Sequence, residues 1–313
     1  MSANNPFGPD DDKFHTGKMS DRWWETETAW FSFCVPERRL GGWLYTMVRP
    51  NIGTVAGGAW VWDDSAHLPW EVLYSANYTS QRLREGSDLR NVVLPNGVGI
   101  EVLEPLTSYQ LTYRDEERID LRLRCDAVMP PRALRSKNSS FEHLSHFDQF
   151  CRVKGQLNLL GETIDVDCLG MRDRSWGPRP EHRPKRSAYV TGVASPTLGF
   201  LAVTDSGHSS EMISYGFLMR DGVIRDLVSG TRKVRHDPQN GWVTDIEIEG
   251  TDEDGRTFRA VGRRLSGIII NRHTFIDSNG LIEWNIDGEI GHGEDQDLWP
   301  VHAWADQRRR QRR

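Results

Sequence analysis

The run Arg172-Asp173-Arg174-Ser175-Trp176-Gly177-Pro178-Arg179 brings one carboxylate, three guanidiniums, a hydroxyl and an indole into a short stretch of chain. Asp173 is its candidate for acid–base chemistry. Flanking Arg172 and Arg174 favour an ionised, oriented carboxylate, whereas the face of Trp176 favours desolvation, a raised pKa and a proton donor. The same residues also suit a structural ion-pair network, with Trp176 as a plug. Upstream, His146-Phe147-Asp148-Gln149-Phe150 offers His146 as a second acid or base if its strand faces a cavity. His143 and His146 are spaced as a weak metal pair near Asp148, but no further ligand is evident and no metal is expected.

Aromatic residues cluster in the first half of the chain: Trp43, Tyr45, Trp60, Trp62, Trp70, Tyr74 and Tyr78, with Gly57-Gly58 among them. They are candidates to line a pocket for a terpenoid, steroid or aromatic compound, the glycines allowing close approach to backbone. A plain aromatic sheet core is the alternative. The segment His208-Ser209-Ser210-Glu211 lacks the G-x-S-x-G elbow of a serine hydrolase. No P-loop or dinucleotide fingerprint occurs in the right setting, so no nucleotide cofactor is expected.

The elements that must position these groups read as strands. Trp30–Val35, Leu40–Pro50 and Gly57–Asp63 are short apolar runs bounded by glycine and proline. In Ile119–Cys125 and Thr244–Glu249 apolar and charged residues alternate, the period of a strand wet on one side. Turn signals recur at Pro95-Asn96-Gly97, Leu160-Gly161-Glu162, Arg220-Asp221-Gly222, Gln239-Asn240-Gly241, Asp254-Gly255 and Asn279-Gly280. Helical periodicity is nearly absent. The expectation is an all-β protein built as sandwiches or barrels.

With 313 residues, 37% hydrophobic and 12 tryptophans, the chain can bury a substantial core and is long enough for two domains. Its net charge of −6 argues against a nucleic-acid partner. Cys34, Cys125, Cys151 and Cys168 are widely separated without C-x-x-C spacing, which excludes the usual zinc and redox motifs and suits a reducing compartment. No signal peptide or bilayer-spanning apolar run is read, so a cytoplasmic location is expected. Residues 1–20 read as a flexible polar arm and 306–313 as a solvated basic tail. The polar stretch after Met129-Pro130-Pro131 reads as a linker.

The order Gln149…Gly155…Gly161…Gly170…Asp173-Arg174-Ser175-Trp176-Gly177 resembles the signature of the carotenoid 1,2-hydratase (hydroxyneurosporene synthase) and AttH-like superfamily. The full R-D-R-S-W-G-P-R run resembles an uncharacterised bacterial subgroup of it more closely. The family's D-H is Asp173-Arg174 here, and Phe147 stands where a tyrosine often precedes the glutamine. The resemblance implies two lipocalin-like antiparallel β-barrel halves, at 21–140 and 141–305, around an apolar cavity. It also implies cofactor-free chemistry on a hydrophobic small molecule, with Asp173 as proton donor and Trp176 as an apolar or cation-stabilising wall.

The expected function is therefore a cofactor-independent hydratase, other lyase, isomerase or cyclase. Asp173, Arg172, Arg174 and His146 would do or orient the acid–base work. Trp176, Gln149, Trp43, Tyr45, Trp60, Trp62, Tyr74 and Tyr78 would hold the substrate. A lipocalin-like carrier and a structural or interaction protein are the alternatives.

Overall fold

A computed structural model describes residues 6–15, 20–134, 145–179, 185–206, 211–272 and 274–311. The chain divides into two compact units, one formed by residues 1–35, 41–61 and 73–180, the other by residues 36–40, 62–72 and 181–313. Nearly every described element is a strand, as the alternation and turn signals require.

The first sheet uses β1 (Glu25–Val35), β2 (Leu40–Arg49), β3 (Thr54–Trp62), β4 (Tyr74–Arg82), β5 (Asn91–Val93), β6 (Gly99–Glu104), β7 (Ser108–Asp115), β8 (Ile119–Ala127), β9 (Arg132–Ala133), β10 (Ser145–Leu159) and β11 (Glu162–Pro178). Its order is β4-β3-β2-β1-β11-β10-β8-β7-β6-β5, with β9 alongside β10. The sheet curls. The Tyr74 hydroxyl on β4 lies 3.1 Å from that of Tyr113 on β7, and the Phe31 ring on β1 is 6.0 Å from Tyr109 on β7. The strands that meet this way are several places apart in the sheet.

The second unit contains β12 (Ser187–Ser195), β13 (Leu198–Ser206), β14 (Glu211–Arg220), β15 (Val223–His236), β16 (Val243–Asp252), β17 (Thr257–Asn271), β18 (Phe275–Ile286) and β19 (Glu289–Pro300), closed into an antiparallel barrel. Phe200, Leu218, Ile248, Phe258, Ile282 and Trp284 belong to its buried apolar cluster. An all-β, lipocalin-like architecture is thus realised as one curled sheet and one closed barrel.

Several expectations are corrected. The boundary near residue 140 falls inside the first unit: β10 and β11 pair with β8 and β1, and that unit runs to Pro180. The supposed linker only joins β9 to β10, and residues 135–144 lie outside the described ones. The arm is not loose over residues 6–15. Pro9–Asp12 forms a 3-10 turn, and Asp12 and His15 are buried. Composition misled here because one of those acids, Asp12, is the counter-charge of buried Arg172 rather than a solvated group. The basic tail is helix α1 (Val301–Gln311), with arginines in its last turn where they complement the helix dipole. There Arg308 donates to the carbonyl of Gln239 at 2.9 Å.

Asn279-Gly280, read as a turn, lies mid-strand in β18, where Gly280 pairs with Gly267 of β17. The reason is steric. The Arg264 guanidinium crosses this spot, and a Cβ on Gly267 would sit 1.8 Å from its Nη2. The hairpin turn after β18 falls instead at Asp287-Gly288, with φ of 50° and 102°.

Candidate active site

Leu160 and Gly161, with φ of 52° and 87°, make the two-residue turn between β10 and β11. That turn fixes the register of the whole hairpin. Counting outward from it, Asp173 stands opposite Asp148, and Ser175 opposite His146. On the other side of β11, Asp173 faces Trp30 and Ser175 faces Thr28 of β1. Directly opposed residues share a face of the sheet, so Asp173, Asp148, His146, Ser175, Thr28 and Trp30 converge on one face.

Within this group His146 Nε2 lies 2.8 Å from Asp148 Oδ1, both side chains being buried. The Ser175 and Thr28 hydroxyls are 2.6 Å apart, and Arg179 Nη2 donates to Ser175 Oγ at 3.3 Å. Asp173 as a residue is half-buried, but its Oδ1 is shut off from solvent and accepts no hydrogen bond among the described residues. Burial pushes the Asp173 carboxyl above the ordinary aspartate range. His146, Arg179 and Arg174 oppose that shift and the Asp148 charge reinforces it. Burial also works against a charged His146. The charge and hydrogen bond of Asp148, with the charge of Asp173, outweigh it, so the imidazole pKa is raised. The group therefore retains protons at a pH where isolated carboxylates have lost theirs, which is the condition for a general acid.

An aromatic chain adjoins it. The Trp30 ring meets Trp43 edge-to-face at 5.6 Å, and Trp43 meets Trp60 likewise at 6.2 Å. All three indoles are buried. Trp30 is the cross-strand neighbour of Asp173, so the chain starts at the carboxyl and runs across β2 to β3.

Period-two alternation sends Arg172, Arg174 and Trp176 to the opposite face. They do not flank the Asp173 carboxylate in space, although they do in sequence. Arg172 pairs with Asp12, donates to Gln149 Oε1 at 3.0 Å, and lies 4.0 Å from the centre of the Tyr109 ring. Arg174 pairs with Glu27 at 2.5 Å and donates to the carbonyls of Thr28 and Lys13. Trp176 stacks on His15 at 4.0 Å with 5° between the rings, and touches Phe147 and Phe7. Gln149 also ties down the carbonyls of Leu106 and Met129. These residues bind the arm to the curled sheet.

The other aromatic candidates scatter. The Tyr74 hydroxyl donates to Asp115 and contacts Tyr113. Tyr78 is 39% exposed, and Trp62 is buried at the end of β3. Tyr45 is half-buried beside Gly57; a Cβ there would sit 2.4 Å from the Tyr45 carbonyl oxygen. Gly58 likewise meets the Ala76 carbonyl. The space these glycines leave is filled by neighbouring strands, not opened to a ligand. His143 and residues 208–210 lie outside the described residues.

Trp30 is not singled out from sequence, and Asp148 only as a neighbour of the His143–His146 spacing, although counting from the Leu160-Gly161 turn pairs Asp148 with Asp173. His146, Asp148 and Asp173 also offer donor atoms lying within 4.8 Å of one another, a set able to hold a metal ion. A second buried charge cluster lies inside the barrel. There Arg232 binds Asp295 and Glu211, and Arg186 binds Asp297 and Glu211. Each of those carboxylates has an arginine partner, an arrangement suited to structure.

A curled antiparallel sheet and a closed eight-stranded barrel in one chain, with a buried acid–histidine group on the sheet, define a lipocalin-like β protein with a candidate active site. Residues 8–299 match the family described as a domain of unknown function, DUF7064, and the chain belongs to that family. Among solved structures, the AttH-assigned protein of Nitrosomonas europaea aligns with TM-score 0.61 and 14% identity over 95% of this chain and 97% of its own. CghA, solved with Sch210972, aligns with TM-score 0.55 and 13% identity over 88% of each chain. Kievitone hydratase from Nectria haematococca aligns with TM-score 0.47 and 9% identity over 91% of each chain. At these identities the first two likenesses establish the fold. A search of curated proteins finds no match. No helix of the described residues is long and apolar enough to cross a membrane.

Proposed function

We propose that this protein is an enzyme that protonates a hydrophobic small molecule from Asp173, as a hydratase, other lyase, isomerase or cyclase. The observation that carries the reading is the buried Asp173 carboxyl, raised in pKa and opposed across the hairpin by the hydrogen-bonded Asp148–His146 pair. A carboxyl held protonated above the ordinary aspartate range donates a proton where an ordinary aspartate cannot. Addition of that proton to a carbon–carbon double bond leaves a carbocation and the Asp173 carboxylate. The indole faces of Trp30, Trp43 and Trp60 suit an apolar substrate and stabilise positive charge developing on it. Water then captures the cation and gives up its extra proton to the Asp173 carboxylate, or an adjacent C–H returns a proton to Asp173 and the double bond moves. The resemblance of the Gln149…Gly155…Gly161…Gly170…Asp173–Gly177 order to the carotenoid 1,2-hydratase and AttH-like superfamily supports the same direction. So does the fold shared with CghA, which has been solved with Sch210972.

The test is mass spectrometry of an apolar extract incubated with wild-type protein and, separately, with Asp173→Asn. The expected result is a compound consumed by the wild type alone, with a product differing in mass by water or not at all. If both proteins retain the same compound unchanged, the chain is a carrier and the enzymatic reading fails.

A further inference from the structure

All four cysteines are thiols, and the strands bring them together in two pairs. Past the Phe31–Arg172 rung, the backbone N–H of Cys34 on β1 donates to Cys168 Sγ on β11 at 3.3 Å. On β8 and β10, Cys125 stands opposite Val153, two residues from Cys151, whose Sγ donates to the Gln149 carbonyl at 3.7 Å.

The pairs differ in access and in the form of sulfur they favour. Cys34 and Cys168 are 6% and 7% exposed, whereas Cys125 and Cys151 are 1% and 0%. At the first pair, the Cys34 N–H is aimed at the Cys168 sulfur, an arrangement that favours a thiolate acceptor. Interaction with Cys34, foremost with its side chain, holds the Cys168 thiol below the usual range despite burial. At the second pair, the Cys151 hydrogen bond and burial push the Cys125 thiol well up. A thiol held protonated in an apolar core is inert.

We propose that Cys34 and Cys168 form a redox-closable dithiol site, with Cys168 the attacking sulfur and Cys34 the resolving one, for a small oxidant of the peroxide class. The Cys168 thiolate attacks one peroxide oxygen; the O–O bond breaks, hydroxide leaves and a sulfenic acid forms. The Cys34 thiol then attacks that sulfur, the S–OH bond breaks, water leaves and the disulfide closes. Two thiols lose two electrons and two protons, and peroxide is reduced to water. The new bond ties β1 to β11, the strands that carry Trp30 and Asp173.

The full wild-type chain tests this without any substitution. It is treated with hydrogen peroxide, quenched with iodoacetamide, denatured, alkylated again and digested without reductant for mass spectrometry. The expected result is a Cys34–Cys168 cross-linked peptide that disappears on reduction, while Cys125 and Cys151 are recovered as alkylated thiols. In Cys34→Ser, the expected product at Cys168 is a sulfenic acid captured by dimedone. Recovery of Cys34 and Cys168 as alkylated thiols, at peroxide levels that oxidise free glutathione, overturns the proposal. So does cross-linking of Cys125 to Cys151 to the same extent.

Discussion

Replacing Asp12 by alanine removes the carboxylate that balances Arg172 inside the first unit. The two side chains are 1% and 3% exposed, so the stranded guanidinium has no water to turn to. Breaking a buried ion pair from one side costs about 3–5 kcal/mol. Asp12 also accepts from the Tyr109 hydroxyl at 3.0 Å and from the Leu106 N–H at 2.7 Å, and their loss places the effect at the upper end of that range. For a unit of this size the cost corresponds to a fall in Tm of about 6–20 °C. Calorimetry, with denaturant titration followed by tryptophan fluorescence, reads it. The decisive partner is Asp12→Ala with Arg172→Met, which replaces the charged pair by apolar volume and recovers most of the loss. A fall of less than about 1 kcal/mol for Asp12→Ala, or strict additivity of the two substitutions, would refute the view that the arm is locked by charge.

Asp173→Asn is expected to behave in the opposite sense, because among the described residues no buried arginine forms an ion pair with Asp173. Its folded pKa lies above the unfolded value of 3.8, so wild-type stability falls as pH rises from 3.8 through the folded pKa. Asp173→Asn removes this limb and is at least as stable as wild type at neutral pH, which denaturant midpoints across a pH series check. For His146, raised above 6.5, the stabilising contribution is fully present below 6.5 and lost as pH rises through the folded pKa. His146→Gln is expected to flatten that part of the same profile. Trp43→Ala is expected to weaken retention of the apolar compound found in the extract experiment. Tyr74→Phe, on the Tyr113–Asp115 cluster, costs about 1 kcal/mol of stability and leaves retention unchanged.

Much of this was legible in the sequence. Alternation in Ile119–Cys125 and Thr244–Glu249 gave strands β8 and β16, and the Leu160-Gly161 turn gave the β10–β11 hairpin. Asp173 and His146 were named and do converge. Their neighbours were misjudged because adjacency along a strand is not adjacency in space: Arg172 and Arg174 point away from Asp173, while Asp148, 25 positions upstream, faces it. The role of the arm was hidden for a different reason. Its acids resemble those of any solvated terminus, and only the curled sheet reveals the two buried arginines that two of the nearby acids, Asp12 and Glu27, neutralise. The cysteine pairs likewise depend on strand order, which local spacing does not encode.

The central claim is that Asp173 keeps its proton above the ordinary aspartate range. Carbon NMR of protein labelled at the aspartate carboxyl carbon, with the Asp173 resonance assigned through Asp173→Asn, measures this directly across a pH titration. The account predicts an apparent midpoint well above 3.8, with a linked change at His146. A midpoint at or below 3.8 would mean that Asp173 is an ordinary ionised carboxylate, and the proton-donor mechanism would fall with it.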